Sequence, residues 1–402
     1  MVNEANIIDG IRNDEFTFFY QPKISLVTGK VFGAEALIRW IKPDGTIIPP
    51  DAFIPLAEQS SLIKDITRHM FPKLVKDMLV MMDVEPLSIS FNASAKDFED
   101  DVFTRMILKA LKISRLPPNS LQVELTETAA LAAGDSIKKN IQPLRDAGVG
   151  LAMDDFGKGY SSLDTLSKWP FTTIKLDQGI VSRMFDSDKN LTIVESSIRM
   201  AHELGISVVA EGVEDSEQYH RLLEAGCTKV QGFWFCKPLP LDQFICFVKE
   251  DIRWSGLPIG LIHMAIIDHM QWRRKLISGL VKAASFSKDS SYRKCLTLPT
   301  LSHKDCRLGH WYDGIGQMFQ DRQSFRNLEK PHSAFHDIGQ LLVKLVGDGA
   351  SMEDITSHLR ELSERSMEVL GLLHALEIEG LMEMHTAHDD WLSHSLHPIN
   401  QG

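Results

Sequence analysis

Four carboxylates, three amides and a lysine fall one per β-like run in the first 250 residues: Gln21, Glu35, Asn92, Glu124, Asp154, Lys175, Glu211 and Gln231. Each occupies a position where the inside of a barrel of strands calls for an apolar side chain. A buried carboxylate is costly unless it is paired or bound to metal, so four converging acids demand cations. Carboxylates with amide oxygens are hard donors and select Mg²⁺ or Mn²⁺. The stretch "LAMDDFGKGYSSL" (Leu151 to Leu163) sets Asp155 directly beside Asp154. Neighbouring side chains on a strand point to opposite faces, so both acids reach one site only if the strand ends there. At the C-terminal mouth of a barrel the pair can then serve a two-metal centre with ions about 3.5 to 4 Å apart.

A second constellation follows residue 260. "LEKPHSAFH" places His332 and His336 one helical turn apart on one face, "IDHMQW" supplies His269, and "KDCRLGHWYDGIG" supplies Cys306. Three imidazoles and a thiolate suit tetrahedral Zn²⁺, with three ligand-bearing helices converging in a bundle. A di-iron bundle would also use histidine pairs, but it wants carboxylate bridges in matching register and no cysteine. His263, His303, His310, His385, His388, His394 and His397 read as surface histidines.

The elements that must position these groups change character along the chain. Eight runs read as strands: Phe16 to Ile24, Val31 to Trp40, Leu87 to Ser94, Leu121 to Glu127, Val149 to Phe156, Thr172 to Asp177, Ser207 to Val213 and Val230 to Phe235. Helical patterns separate them, which predicts an α/β fold, a TIM-like (β/α)8 barrel. Only "SLVTGK" links the first two runs, too short for a parallel crossover, so the first strand is expected to be antiparallel. Strand signals cease after Lys249, and "RWSGLPIG" (Arg253 to Gly260) reads as a linker. Helices are expected over roughly 260 to 284, 305 to 321, 324 to 346 and 353 to 379. In the last, Ile355, Leu359, Leu362, Val369, Leu373 and Leu376 form an apolar stripe with Ser366 its one polar interruption. That stripe fits the core of an all-α four-helix bundle, with a dimeric coiled coil as the alternative. The expected domains are a barrel over 1–252, a bundle over 258–380 and a His-containing tail over 381–402.

Composition narrows the partners. The 402 residues hold 43 Lys plus Arg against 54 Asp plus Glu, a net charge of −11 that disfavours a nucleic-acid polymer. Five cysteines without a regular framework suit a reducing compartment, the cytoplasm by default. No apolar run approaches ~18 residues, so neither a signal peptide nor a membrane span is expected.

The motifs "YQPK", "GAEALIRW", "FIPLAEQSSLI", "SFNAS", "ELTE", "MDDFGKGYSSL", "IKLD", "AEGVE" and "QGFWFCKP" resemble, in order, those of the EAL family of cyclic di-GMP phosphodiesterases. The resemblance implies that Glu35, Asn92, Glu124 and Asp154 bind one metal and that Asp154 and Asp155 share a second. It further implies that Glu127 anchors the segment after Asp155, that Lys175 positions the attacking water and that Glu211 is the general base. By the same resemblance Glu214 and Gln231 would complete the outer ring of the metal site, and Gln21, Leu37 and Arg39 would contact the substrate. The expected reaction opens cyclic di-GMP to linear pGpG. Ser61 stands where the family commonly has glycine, a change expected to matter little. The stretches around His269, Cys306, His332 and His336, with Trp272, Leu308, Gly309 and Trp311, resemble the chemoreceptor zinc-binding (CZB) family. Both families imply a homodimer. An enzyme regulated by zinc at the bundle is the reading these residues favour; the alternative is a receptor that binds the dinucleotide without turnover.

Overall fold

The computed structural model describes residues 2–132, 134–158, 162–254, 259–285, 298–351 and 353–394. It separates into two compact units, Met1–Leu222 with Cys227–Ser255, and Leu223–Gly226 with Gly256–Gly402.

The first unit is built on ten strands: β1 (Phe16–Ser25), β2 (Val31–Ile41), β3 (Ile47–Ile48), β4 (Ser88–Asn92), β5 (Leu121–Thr126), β6 (Gly150–Phe156), β7 (Thr173–Leu176), β8 (Ser207–Ala210), β9 (Lys229–Val230) and β10 (Leu239–Pro240). β1 and β2 form the antiparallel hairpin expected from the short loop, with Gln21 opposite Glu35. Parallel pairing then runs β2-β4-β5-β6-β7-β8-β9, and β9 returns to β1, closing an eight-stranded barrel with β3 and β10 added outside the ring. Helices wrap it. The helix Asp188–Leu204, for example, starts at Ser187, whose side chain accepts from the Asn190 N–H, buries Val194, Ile198 and Ala201, and stops at left-handed Gly205.

The eighth barrel strand is shorter than the expected Val230 to Phe235, because the chain leaves the ladder after Val230. The Gln231 carbonyl accepts from the Val213 N–H and the Val213 carbonyl accepts from the Trp234 N–H. The α-carbon of Gly232 lies against the Val213 backbone, where a Cβ would collide.

The second unit is helical: Ile259–Ser285, Arg307–Asp313, a 3₁₀ turn Ile315–Phe319, Gln323–Arg326, Glu329–Gly347 and Thr356–His394. The helix expected over 305 to 321 is broken at Gly314, whose φ of −108° and ψ of −114° cannot continue a helix. The last helix runs well past 379, to His394. Its stripe does pack inward: Leu362, Val369, Leu373 and Leu376 join Trp272, Leu276, Leu308, Trp311 and Phe335 in one core. Linker residues 255–258, the loop residues Gly159 to Ser161, Cys295 and His397 lie outside the described residues, as do the side chains of His385, His388 and His394. Among the described residues no helix is long and apolar enough to cross a membrane.

Candidate functional sites

Parallel strands present their C-terminal ends on one side of the barrel, which gathers Glu35, Glu124, Asp154 and Glu211 around Lys175. The Lys175 ammonium, 1% exposed, lies 2.6 Å from Glu124 Oε2, 2.7 Å from Glu211 Oε1, 3.2 Å from Asp154 Oδ1 and 3.4 Å from Glu35 Oε2. Lys23, also buried, donates to Glu124 Oε1 at 2.8 Å and to Ser90 Oγ at 2.5 Å. Sequence reasoning missed Lys23, although it stands two residues after Gln21 on β1 and so shares the inward face.

Two ammonium groups against four carboxylates leave the fully ionised ring two positive charges short, and without a further cation part of that deficit is met by raised proton affinity. Burial alone would raise Glu124, but Lys175 and Lys23 on its two oxygens override it and hold Glu124 down at about 2. Burial raises Asp154 to about 6 against the pull of Lys175, and the Glu124, Glu35 and Asp155 charges add to the rise. Burial likewise raises Glu211 to about 8, helped by Asp154 and its other acidic neighbours. Lys175 stays charged well above its ordinary range despite burial, because four acids face it.

The remaining barrel residues take separate places. Asn92 donates to Glu35 Oε1 at 2.7 Å, and Gln231 donates to Glu35 Oε2 at 2.8 Å and to Gln21 Oε1 at 2.9 Å. The Gln231 Oε1 atom is buried without a hydrogen-bond partner. Leu37, Arg39 and Asn92 line a cavity of about 340 Å³ together with Asp51, Thr67 and a wall of apolar side chains. Gln21 turns instead to the Cys236 carbonyl at 3.3 Å. Glu127, at the start of the helix after β5, is buried and neither of its oxygens has a partner. Glu214 sits exposed, accepting from Gln178 at 3.2 Å, and is not drawn into the ring around Lys175.

The aspartate pair is resolved by the backbone. Asp155 has a left-handed φ of 57°, and the β6–β7 register slips between Met153 and Phe156, so strict alternation fails at this point. Asp154 faces Lys175, whereas Asp155 Oδ1 accepts from Lys158 at 2.6 Å, and Lys158 also reaches Asp177 Oδ2 at 2.8 Å. Neighbouring acids thus go to two different ammonium groups. Lysines of the chain itself supply part of the positive charge that the four converging acids call for. A divalent cation still fits the ring: its two charges match the deficit, and the donors are hard oxygens with the Gln231 oxygen unsatisfied.

In the helical unit, Cys306 Sγ and a nitrogen each of His332 and His336 lie within 4.8 Å of one another, all buried. Cys306 caps the helix Arg307–Asp313, accepting from the Gly309 N–H at 3.2 Å. Gly309 has no room for a Cβ, which would meet the His303 carbonyl oxygen. His336 Nδ1 is 2.9 Å from the Leu301 carbonyl, which leaves Nε2 as its coordinating atom. Burial, with smaller contributions from neighbouring imidazoles, lowers His332 to about 3 and His336 to about 4, so both are neutral. Burial raises the Cys306 thiol to about 11. Two imidazoles and a sulfur this close, with the histidines neutral, fit Zn²⁺. His269 lines the same cavity of about 290 Å³ but stands outside the trio, because its Nε2 lies 2.9 Å from Ser366 Oγ. The leftover His303 is half-buried, its ring 6.1 Å from that of His332.

Comparison with known proteins gives two family matches, the EAL domain over residues 4–238 and the chemoreceptor zinc-binding domain over residues 269–343. A curated relative, cyclic di-GMP phosphodiesterase RocR of Pseudomonas aeruginosa, is 37% identical over 242 residues, covering 60% of this chain and 62% of the relative. The oxygen sensor protein DosP of Escherichia coli is 35% identical over 245 residues, 60% of this chain and 31% of its own length. The chain therefore spans less than two thirds of either relative. Among solved structures, the PaMucR phosphodiesterase in complex with c-di-GMP aligns with a TM-score of 0.56 and 31% identity, covering 60% of this chain and 98% of that one. The EAL enzyme Bd1971 in its cAMP and cyclic-di-GMP bound form aligns with a TM-score of 0.58 and 29% identity, covering 61% and 68%.

Proposed function

We propose that this chain, which belongs to the EAL domain family over residues 4–238, hydrolyses cyclic di-GMP to linear pGpG under the control of a zinc-binding helical bundle. The observation that carries the reading is the two-charge deficit of the buried acid ring around Lys175. Glu35, Asn92, Glu124 and Asp154 would hold one Mg²⁺ or Mn²⁺ ion, and Asp154 with Asp155 a second, with Glu214 and Gln231 contributing at the periphery. Such ions polarise a phosphate oxygen and make the attacking water more acidic.

Each protein group has a task in the displacement. Lys175 orients the attacking water. Glu211, 2.7 Å from the Lys175 ammonium, stands beside that water and is placed to take its proton. Water oxygen bonds to phosphorus, the bond to the ribose 3′ oxygen breaks, that oxygen takes up a proton from solvent, and Glu211 returns the proton it accepted to solvent. Arg39 offers the phosphate a planar, permanently charged fork that a lysine could not supply. Leu37 and Gln21 would bound the dinucleotide, and Glu127 would hold the segment that follows Asp155. Cys306, His332 and His336, with His269, would bind Zn²⁺, and its loss by chelation or thiol oxidation would change turnover in the barrel. A homodimer in the cytoplasm belongs to the same reading.

The test is product analysis with cyclic di-GMP and Mn²⁺. Linear pGpG is expected from the chain and none from Glu35→Ala; tight binding without product would instead establish the receptor reading. Rates measured before and after zinc chelation, with Cys306→Ala as control, address regulation, and equal rates in all samples would reject it.

A further inference from the structure

The last helix, Thr356–His394, contributes none of the four sulfur and imidazole groups gathered at the bundle's cavity. It does contribute Ser366, the polar interruption of its apolar stripe, 1% exposed. A buried hydroxyl needs a partner, and this one has His269 Nε2 at 2.9 Å. One turn away a second bond joins the same two helices, from Arg273 Nη2 to Ser363 Oγ at 2.8 Å. His269 and Arg273 are four residues apart and Ser366 and Ser363 three, so the pair fixes the register of two antiparallel neighbours.

The consequence for the metal site is geometric. Neither nitrogen of His269 falls within the 4.8 Å set formed by Cys306, His332 and His336, although its ring lines their cavity. For His269 to complete four-coordination through Nε2, that nitrogen must leave Ser366 Oγ. We propose that Ser366 is the metal-free partner of His269, a latch competing with Zn²⁺ for the fourth ligand, so that metal uptake releases one of the bonds pinning the last helix. This rests on the zinc reading above. Zinc capture then leaves a buried hydroxyl without its partner, a cost that weakens binding and transmits occupancy to a helix that holds no ligand. The design places the switch at helix packing: three residues form a receptive cluster, and the fourth is withheld by a bond the ion must break.

The competing geometry makes the opposite prediction. Were Ser366 an orienting partner that stays bonded while the other ring nitrogen coordinates, removing it would loosen the site, as losing outer-shell partners does. The experiment is competition of the full chain with a chromophoric chelator for Zn²⁺, comparing wild type, Ser366→Ala, Ser366→Thr, His269→Ala and the His269→Ala, Ser366→Ala double variant. Ser366→Ala should bind Zn²⁺ about five- to tenfold more tightly, the worth of one released hydrogen bond. Ser366→Thr, which keeps the hydroxyl, should match wild type, and the serine change should have no effect once His269 is gone. Affinity unchanged or weakened in Ser366→Ala overturns the latch while leaving the zinc site standing. A wild-type chain that takes up no Zn²⁺ overturns the zinc site itself, and the latch with it.

Discussion

In the barrel, four acids crowd one buried lysine and a second lysine braces the most enclosed of them; in the bundle, histidines and a thiol meet without any formal charge of their own. Like charges brought together in a low dielectric must be compensated whenever the domain is folded, so the barrel builds cations into its own strands. Neutral ligands carry no such obligation. The bundle can stand with a ligand bonded elsewhere, His269 to Ser366, while the Leu301 carbonyl holds His336 with its other ring nitrogen free. Acids held in place by built-in lysines keep a cation site formed at all times, whereas a ligand with an alternative partner suits a site that responds to its ion.

The sharpest way to break this contrast is Lys175→Met. It strips the ring of the one cation that touches all four acids, and the barrel is expected to lose about 3–5 kcal/mol, as when one partner of a buried ion pair is removed. Urea denaturation followed by peptide-resolved hydrogen exchange would locate the loss in residues 1–252, and added Mn²⁺ should recover part of it. An unaltered barrel midpoint would mean the acids do not repel one another as the geometry requires.

A smaller effect should separate the two regions by the sign of their pH dependence, both measured in chelator. Asp154 and Glu211 have folded values raised to about 6 and about 8, above their ordinary carboxylate range. The folded barrel keeps their protons while the unfolded chain gives them up, so barrel stability is greatest near pH 4 to 5 and falls as pH rises towards 8. His269, His332 and His336 have values lowered to about 3, 3 and 4, chiefly by burial. The unfolded bundle takes up protons that the folded one refuses, so its stability is full above about pH 6.5 and falls as pH drops towards 4. Slopes of the same sign in both regions would contradict the assignment.

The smallest expected change is a control confined to the barrel. Ser61 has a left-handed φ of 66°, a conformation glycine adopts freely and serine does not. Its hydroxyl accepts from Lys96 at 3.2 Å, a modest offset. Ser61→Gly should raise barrel stability by about 0.5–1 kcal/mol, the left-handed penalty less the added entropy of glycine, and leave bundle exchange unaffected.

Much of this was legible without coordinates. Alternation put Glu35, Glu124 and Lys175 inside, loop length made the first hairpin antiparallel, and the apolar spacing of the last helix put its stripe in the bundle core. These follow from local rules, since side-chain direction on a strand or helix is set by its period and a six-residue loop can join only antiparallel neighbours. Break points were less legible: the turn after Val230 depends on backbone bonds to Val213, well back in the chain, and Gly314 stops its helix through a backbone geometry that residue type alone does not fix. Distance along the chain likewise hid Lys23 as the second brace of Glu124 and the capture of His269 by Ser366, whereas Lys158, only three residues from Asp155, was hidden by the left-handed turn that brings the two together. Residue type and spacing determine which groups can do chemistry, but a lysine and an acid 101 positions apart become partners only when closure of the barrel brings β1 and β5 to the same interior. Which partner each charge or ring nitrogen takes is a competition among distances and desolvation costs, and only the folded chain sets those.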